Sequence, residues 1–160
     1  MSDRLSQILF SAGCDAGVVS HCKKTAELAS RYRGVSVDSV LVEEGAMLHD
    51  LGRSVTHSIR HAGEGAELSR KLGLRDEITE IIRCHTGGGL SEDDCVLLNL
   101  PPANCVPKTL EEKIVAHADN LAKGSREITI EERMMLIAGQ SKRSKKNVWR
   151  LSMEMELLRD

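Results

Sequence analysis

Histidine and aspartate are the side chains whose types and spacing in this chain could do chemistry. Of six histidines, three (His49, His57 and His61) fall within thirteen positions, and Asp50 directly follows the first. On a helix, His49 lies four residues after Gly45 and eight after Leu41, and Asp50 lies four after Ala46, while Glu43 and Glu44 take the other side. Both polar groups therefore look inward. His21 shares a stripe with Val18, Thr25 and Leu28; His85 ends a segment whose apolar stripe is Ile78, Ile81 and Ile82; Asp119 sits with Val115 and Ala122. His57 and His61 are four apart and share one helical face.

A single core histidine satisfied by a hydrogen bond is ordinary. Six or seven inward ligand-type groups from five helices are not, because two inward aspartates cannot be buried without charge partners. A shared cation removes that difficulty. Carboxylate oxygen and neutral imidazole nitrogen suit iron, manganese, cobalt, nickel or zinc. One metal needs about four protein ligands, so the donor count fits two divalent metals better than one.

The elements that must position these groups are helices. Apolar residues recur three and four apart, and no stretch sustains strand alternation. The expected helices cover about 3–11, from a cap at Asp15 to about Tyr32, from Ser36 or Asp38 to before Gly52, about 58–72, about 75–85, from a capping box at Thr109 and Glu112 to about Lys123, and about 129–138 and 144–158. All three prolines lie in or beside a loop after the glycines 87–89. At 160 residues this reads as a single all-α domain, 1–160, with a helical tail.

Composition narrows the function classes. Aromatics are 2% of the chain, namely Phe10, Tyr32 and Trp149, so the core must be aliphatic and stacking of single-stranded bases would be poor. A net charge of -2 also argues against nucleic acid as a partner. Neither a signal-peptide pattern nor a membrane-length apolar run is present, so a cytoplasmic protein without a membrane partner is expected. The five cysteines lack a CxxC pair and read as reduced, mostly buried thiols. Lys142, Arg143, Lys145, Lys146 and Arg150 form a basic cluster, read as a solvated face before a phosphate-binding one.

The order His21, His49-Asp50, His61, His85, Asp119 resembles the HD superfamily of metal-dependent phosphohydrolases, with HDLGR similar to its HDIG variant. HTGGG at 85–89 and TLEEKIVAHADNLAKGSR at 109–126 resemble a group of small archaeal HDIG-domain proteins, and HAGEGAEL is also similar to the HD-type symmetrical diadenosine tetraphosphate hydrolases. The resemblance covers about 15–126 and implies an HD-domain helical bundle with the metal site among its central helices. It departs at Ala122-Lys123-Gly124, where the diadenosine enzymes typically carry a proline-containing segment.

Carried over by position, the resemblance implies that His21, His49, Asp50 and Asp119 hold one metal, and that Asp50 bridges to a second held by His61 and His85. Iron is the first expectation, with two metals per chain. The implied reaction is attack of a metal-held hydroxide on phosphate esters or anhydrides of nucleotides or dinucleoside polyphosphates. Asp50, His57 and Arg53 are the expected catalytic residues, and Arg53, Lys123 and Arg126 the expected contacts to substrate phosphate. His57 stays open between a group behind the ligands, a proton donor and a replacement ligand for His61; His117 reads as structural. The alternatives are a mononuclear 5'-nucleotidase using only the first ligand set, and a non-catalytic metal- or nucleotide-binding module. The expected partners are a small phosphorylated substrate, foremost a nucleotide, and a second copy of the chain in a homodimer.

Overall fold

Short polar side chains open most of the helices, each accepting a hydrogen bond from an otherwise unpaired amide of the first turn. The computed structural model describes residues 1–34 and 36–159. After α1 (Ser2–Ala12), Asp15 caps α2 (Ala16–Ala29) through the Val18 amide, and Asp38 caps α3 (Ser39–Leu48) through that of Leu41. A 3-10 turn (Leu51–Ser54) leads towards α4 (His61–Lys71) and α5 (Asp76–Cys84). Ser91 and Asp94 form a reciprocal capping box on α6 (Glu92–Leu97). Thr109 caps α7 (Leu110–Asn120), although Glu112 turns its carboxylate to the Lys108 amide instead of closing the box on Thr109. A two-residue hairpin, β1 (Ala122–Lys123) against β2 (Arg126–Glu127), precedes α8 (Ile130–Leu136) and α9 (Lys142–Glu156).

The architecture is all-α, as expected. α3 is the central element, packed against α1, α2, α5 and α7, and α9 lies on α7. The core is aliphatic: Leu9, Leu28, Leu48, Ile81, Ile82, Ile114 and Met155 are fully buried, while Phe10 and Trp149 lie exposed. The four cysteines 14, 22, 84 and 95 are buried and free. No helix of the described residues is long and apolar enough to cross a membrane.

Several boundaries differ from expectation. α2 stops at Ala29 rather than near Tyr32, and α3 stops at Leu48, so His49 is its last cap and Asp50 the joint to the 3-10 turn. α7 ends at Asn120 and not Lys123, because Gly124, at a φ of 58°, turns the chain back into the hairpin. The hairpin and α6 had no counterpart in the sequence reading.

Candidate metal centre

Close backbone packing fixes the HDLG turn. A Cβ at Gly52 would collide with the His61 carbonyl oxygen and the Gly65 nitrogen, so glycine is required for the 3-10 turn to sit on α4. That contact holds Asp50 and His61 on either side of one space. His49 arrives from the end of α3, His85 from the end of α5, His21 from α2 and Asp119 from the last turn of α7.

Asp50 divides the site between its two oxygens. Oδ2 lies 3.6 Å from His21 Nε2 and 3.6 Å from His49 Nε2, and Asp119 Oδ1 completes that half at 2.8 Å from His21 and 3.3 Å from His49. Oδ1 faces the other way, 3.4 Å from both His61 Nε2 and His85 Nε2. Potential ligand atoms of His21, His49 and Asp119 lie within 4.8 Å of one another, as do those of His49, Asp50 and His85.

Every one of the four rings is anchored from behind. His49 Nδ1 donates to the Ala46 carbonyl at 2.7 Å, His61 Nδ1 to Ser58 at 2.9 Å, His85 Nδ1 to Ile82 at 2.7 Å and His21 Nδ1 to Gly124 at 3.1 Å. A carbonyl can only accept, so each Nδ1 donates outward and each Nε2 faces the centre, where it takes either a proton or a cation. Two consequences follow. His61 and His85 place their Nε2 atoms 3.0 Å apart, which two lone pairs tolerate only with a proton or cation between them, and His49 Nε2 is buried without a hydrogen-bond partner. The donor set therefore fits a divalent cation in each half.

Charge agrees with this division. Burial opposes charge on His49, yet Asp50 and Asp119 raise its pKa well above the usual imidazole value. Burial likewise opposes ionisation of Asp50 and Asp119, but the surrounding histidines hold both carboxyls well below the ordinary range. His61 is pushed down to about 4 by burial and by neighbouring His85, which keeps it neutral and available as a ligand.

The centre lies in a cavity of about 680 Å³. Arg53 lines it, with Nε 3.5 Å from Asp50 Oδ1 and Nη1 donating to the His57 carbonyl at 2.6 Å. His57 and Lys123 also line it, both exposed and outside the ligand cluster. Arg126 does not reach the cavity; its guanidinium points to Glu132 at 3.6 Å and is mostly exposed. His117 is remote from the cluster, buried edge-on against Tyr32 and hydrogen-bonded to Glu156 at 3.2 Å.

The glycines after His85 are closely packed. A Cβ at Gly88 would come within 2.6 Å of the Asn147 oxygen and Val148 nitrogen, so this loop lies directly on the backbone of α9. Asn120 secures it further by donating to the Gly87 carbonyl at 3.0 Å. Through this contact the tail reaches the cavity, where Arg133, Ile137, Gln140, Ser141 and Ser144 form a wall that sequence reasoning did not find. No helical period links them, because α8 ends at Leu136 and α9 begins at Lys142, so their spacing carries no signal of a shared face.

Comparison with known proteins agrees with the geometry. The pattern of the family described as HD domain matches residues 18–124. An uncharacterized protein of Methanocaldococcus jannaschii is 43% identical over 125 residues, covering 74% of each chain. A tRNA (cytidine(56)-2'-O)-methyltransferase of Thermoplasma volcanium is 39% identical over 126 residues, 78% of this chain but 37% of the methyltransferase. This chain thus spans well under half of that relative. Among solved structures, the HD domain of the L. monocytogenes phosphodiesterase PgpH superposes with a TM-score of 0.60 at 17% identity, covering 92% of this chain and 94% of that one. The same PgpH domain has been solved in complex with cyclic-di-AMP.

Proposed function

We propose that this chain, which belongs to the HD-domain family, is a metal-dependent phosphohydrolase that holds two divalent cations and cleaves phosphate esters or anhydrides of nucleotides. His21, His49, Asp119 and Asp50 Oδ2 would hold one cation; His61, His85 and Asp50 Oδ1 would hold the other. The observation that carries this reading is the divided Asp50 carboxylate, whose two oxygens serve two separate sets of anchored Nε2 atoms. Bound there, such cations polarise phosphoryl oxygens and lower the pKa of water to about 7.

The remaining roles belong to the chain itself. Arg53 is tethered to Asp50 and to the His57 carbonyl, so its guanidinium is placed to meet a phosphate at the centre. Lys123, exposed on the hairpin at the cavity edge, adds a second charge. His57 lies outside both ligand sets at the mouth, a position suited to delivering a proton to the leaving oxygen. Leu97 and Leu98 line the cavity while 78% and 43% exposed, an apolar rim on which a nucleobase can rest without aromatic stacking. A phosphodiester is included among the proposed substrates because the PgpH domain, of the same fold, binds a cyclic dinucleotide.

Elemental analysis of untagged protein prepared without chelator tests the proposal. Two atoms of iron, manganese or a similar metal per chain are expected, falling to one in His61→Ala and in His85→Ala, with loss of turnover on a nucleotide and dinucleotide panel. Retention of both metal and turnover in these variants refutes the two-cation reading and leaves a mononuclear nucleotidase.

A further inference from the structure

The tail wall contains a cation that the metal centre does not use. Arg133 lies on α8, beyond the residues matched by the family pattern, and is half-buried. Its guanidinium is fixed by the end of α7 and the start of β1: Nε donates to the Asn120 carbonyl at 2.7 Å and Nη2 to the Ala122 carbonyl at 2.8 Å. Both acceptors belong to residues lining the cavity, as does Arg133 itself. Among the described residues no carboxylate lies within ion-pair distance of Arg133, although the charge of Asp119 is felt there, and Nη1 has no protein hydrogen bond.

A neighbouring donor shares the wall. The Gln140 side-chain oxygen accepts from the Ser144 hydroxyl at 2.6 Å, and the Ser144 backbone N–H donates to Ser141 Oγ at 3.1 Å. This arrangement commits the acceptor end of Gln140 and leaves its amide nitrogen without a protein partner among the described residues. The wall therefore presents donors and a positive charge. Partial desolvation of a guanidinium bound only to neutral carbonyls is unfavourable, and an anion in the cavity relieves it.

Building on the phosphohydrolase reading above, we propose that Arg133, aided by Gln140, binds a second phosphate of the substrate, distinct from the one cleaved at the metal centre. The preferred substrates are thus nucleotides carrying at least two phosphate groups. The carbonyl tethers make the guanidinium a fixed gauge of the distance between those groups, which a lysine in its place could not be.

The test compares ApA with pApA, which differ by one terminal phosphate, in wild-type protein, Arg133→Gln, Arg133→Lys and Gln140→Ala, each checked for folding by thermal melting. Wild-type protein is expected to favour pApA in KM. Arg133→Gln is expected to shrink that preference roughly ten- to hundredfold, with the loss in KM and not kcat; Arg133→Lys restores part of it, and Gln140→Ala shrinks it less. Absence of a wild-type preference, or equal weakening of both substrates by Arg133→Gln, overturns the assignment. If neither dinucleotide is cleaved, the cleavage reading fails for this class, and the same ratio is read by calorimetric titration of ApA and pApA; no difference between them there also overturns it.

Discussion

Asp50 and His57 sit seven positions apart in one short stretch, yet their surroundings assign them separable jobs. Asp50 is buried with an imidazole nitrogen or guanidinium on each side, whereas His57 is exposed and contributes only its carbonyl, to Arg53. Asp50→Asn removes the charge that both halves of the centre share. Loss of bound metal and a fall in turnover of about a hundredfold or more are expected, since even residues behind metal ligands cost ten- to hundredfold. His57→Gln should lower kcat by about a hundredfold while metal content stays at the wild-type value. Parallel elemental analysis and steady-state kinetics on the two variants check this; a His57→Gln protein that loses metal would make His57 a ligand and overturn the division of labour.

Among the elements, α9 has the role least visible in the sequence. Its carboxylate Glu156 accepts from the Tyr32 hydroxyl at 2.8 Å and pairs with His117 at 3.2 Å, tying the end of the chain to the segment after α2 and to α7. Burial opposes ionisation of Glu156, but these donors hold its pKa below the ordinary 4.5. A carboxyl depressed in the folded state contributes stability that is complete above 4.5 and is lost as the pH falls through the depressed value. Its half-exposed side chain discounts the effect to about 1 kcal/mol, or about 2–4 °C. Glu156→Gln should therefore melt lower than wild type at pH 7, with the gap closing on acidification below 4.5; a gap independent of pH would show that the charge is immaterial. The inward set His21, His49, His85 and Asp119 was legible because helical periodicity turns those positions to the core, and Asp50 follows His49 at the joint to the 3-10 turn. α6 was not, since six residues give the 3.6 period no room to repeat, and the hairpin was not, since two-residue strands show no alternation. Arg133 was illegible for another reason: its carbonyl partners lie 11 and 13 residues earlier and meet it only through the turn at Gly124.

At the scale of the whole molecule, the question is whether the segment beyond the family match is an appendage or part of one folding unit. Val148, Leu151 and Met155 are buried, the last two within the same apolar cluster as Leu48 and Ile114. Each such side chain is worth about 1.5–3 kcal/mol, so together they rival the total stability of a domain, about 5–15 kcal/mol. The HTGGG loop also rests on the α9 backbone, so release of α9 would loosen the loop that follows the ligand His85. A unit divided near residue 127 is therefore inconsistent with the energetics, and residues 1–160 should unfold as one domain. Trp149, the only tryptophan, lies on α9 and makes this measurable. Its fluorescence reports the tail, whereas far-ultraviolet circular dichroism reports all the helices. The two melting curves should coincide, and both should shift down when a chelator strips the centre, because a ligand bound only to the native state stabilises it. An earlier fluorescence transition, unmoved by chelator, would mean that α9 melts alone and that the cavity wall carrying Arg133 is uncoupled from the metal centre.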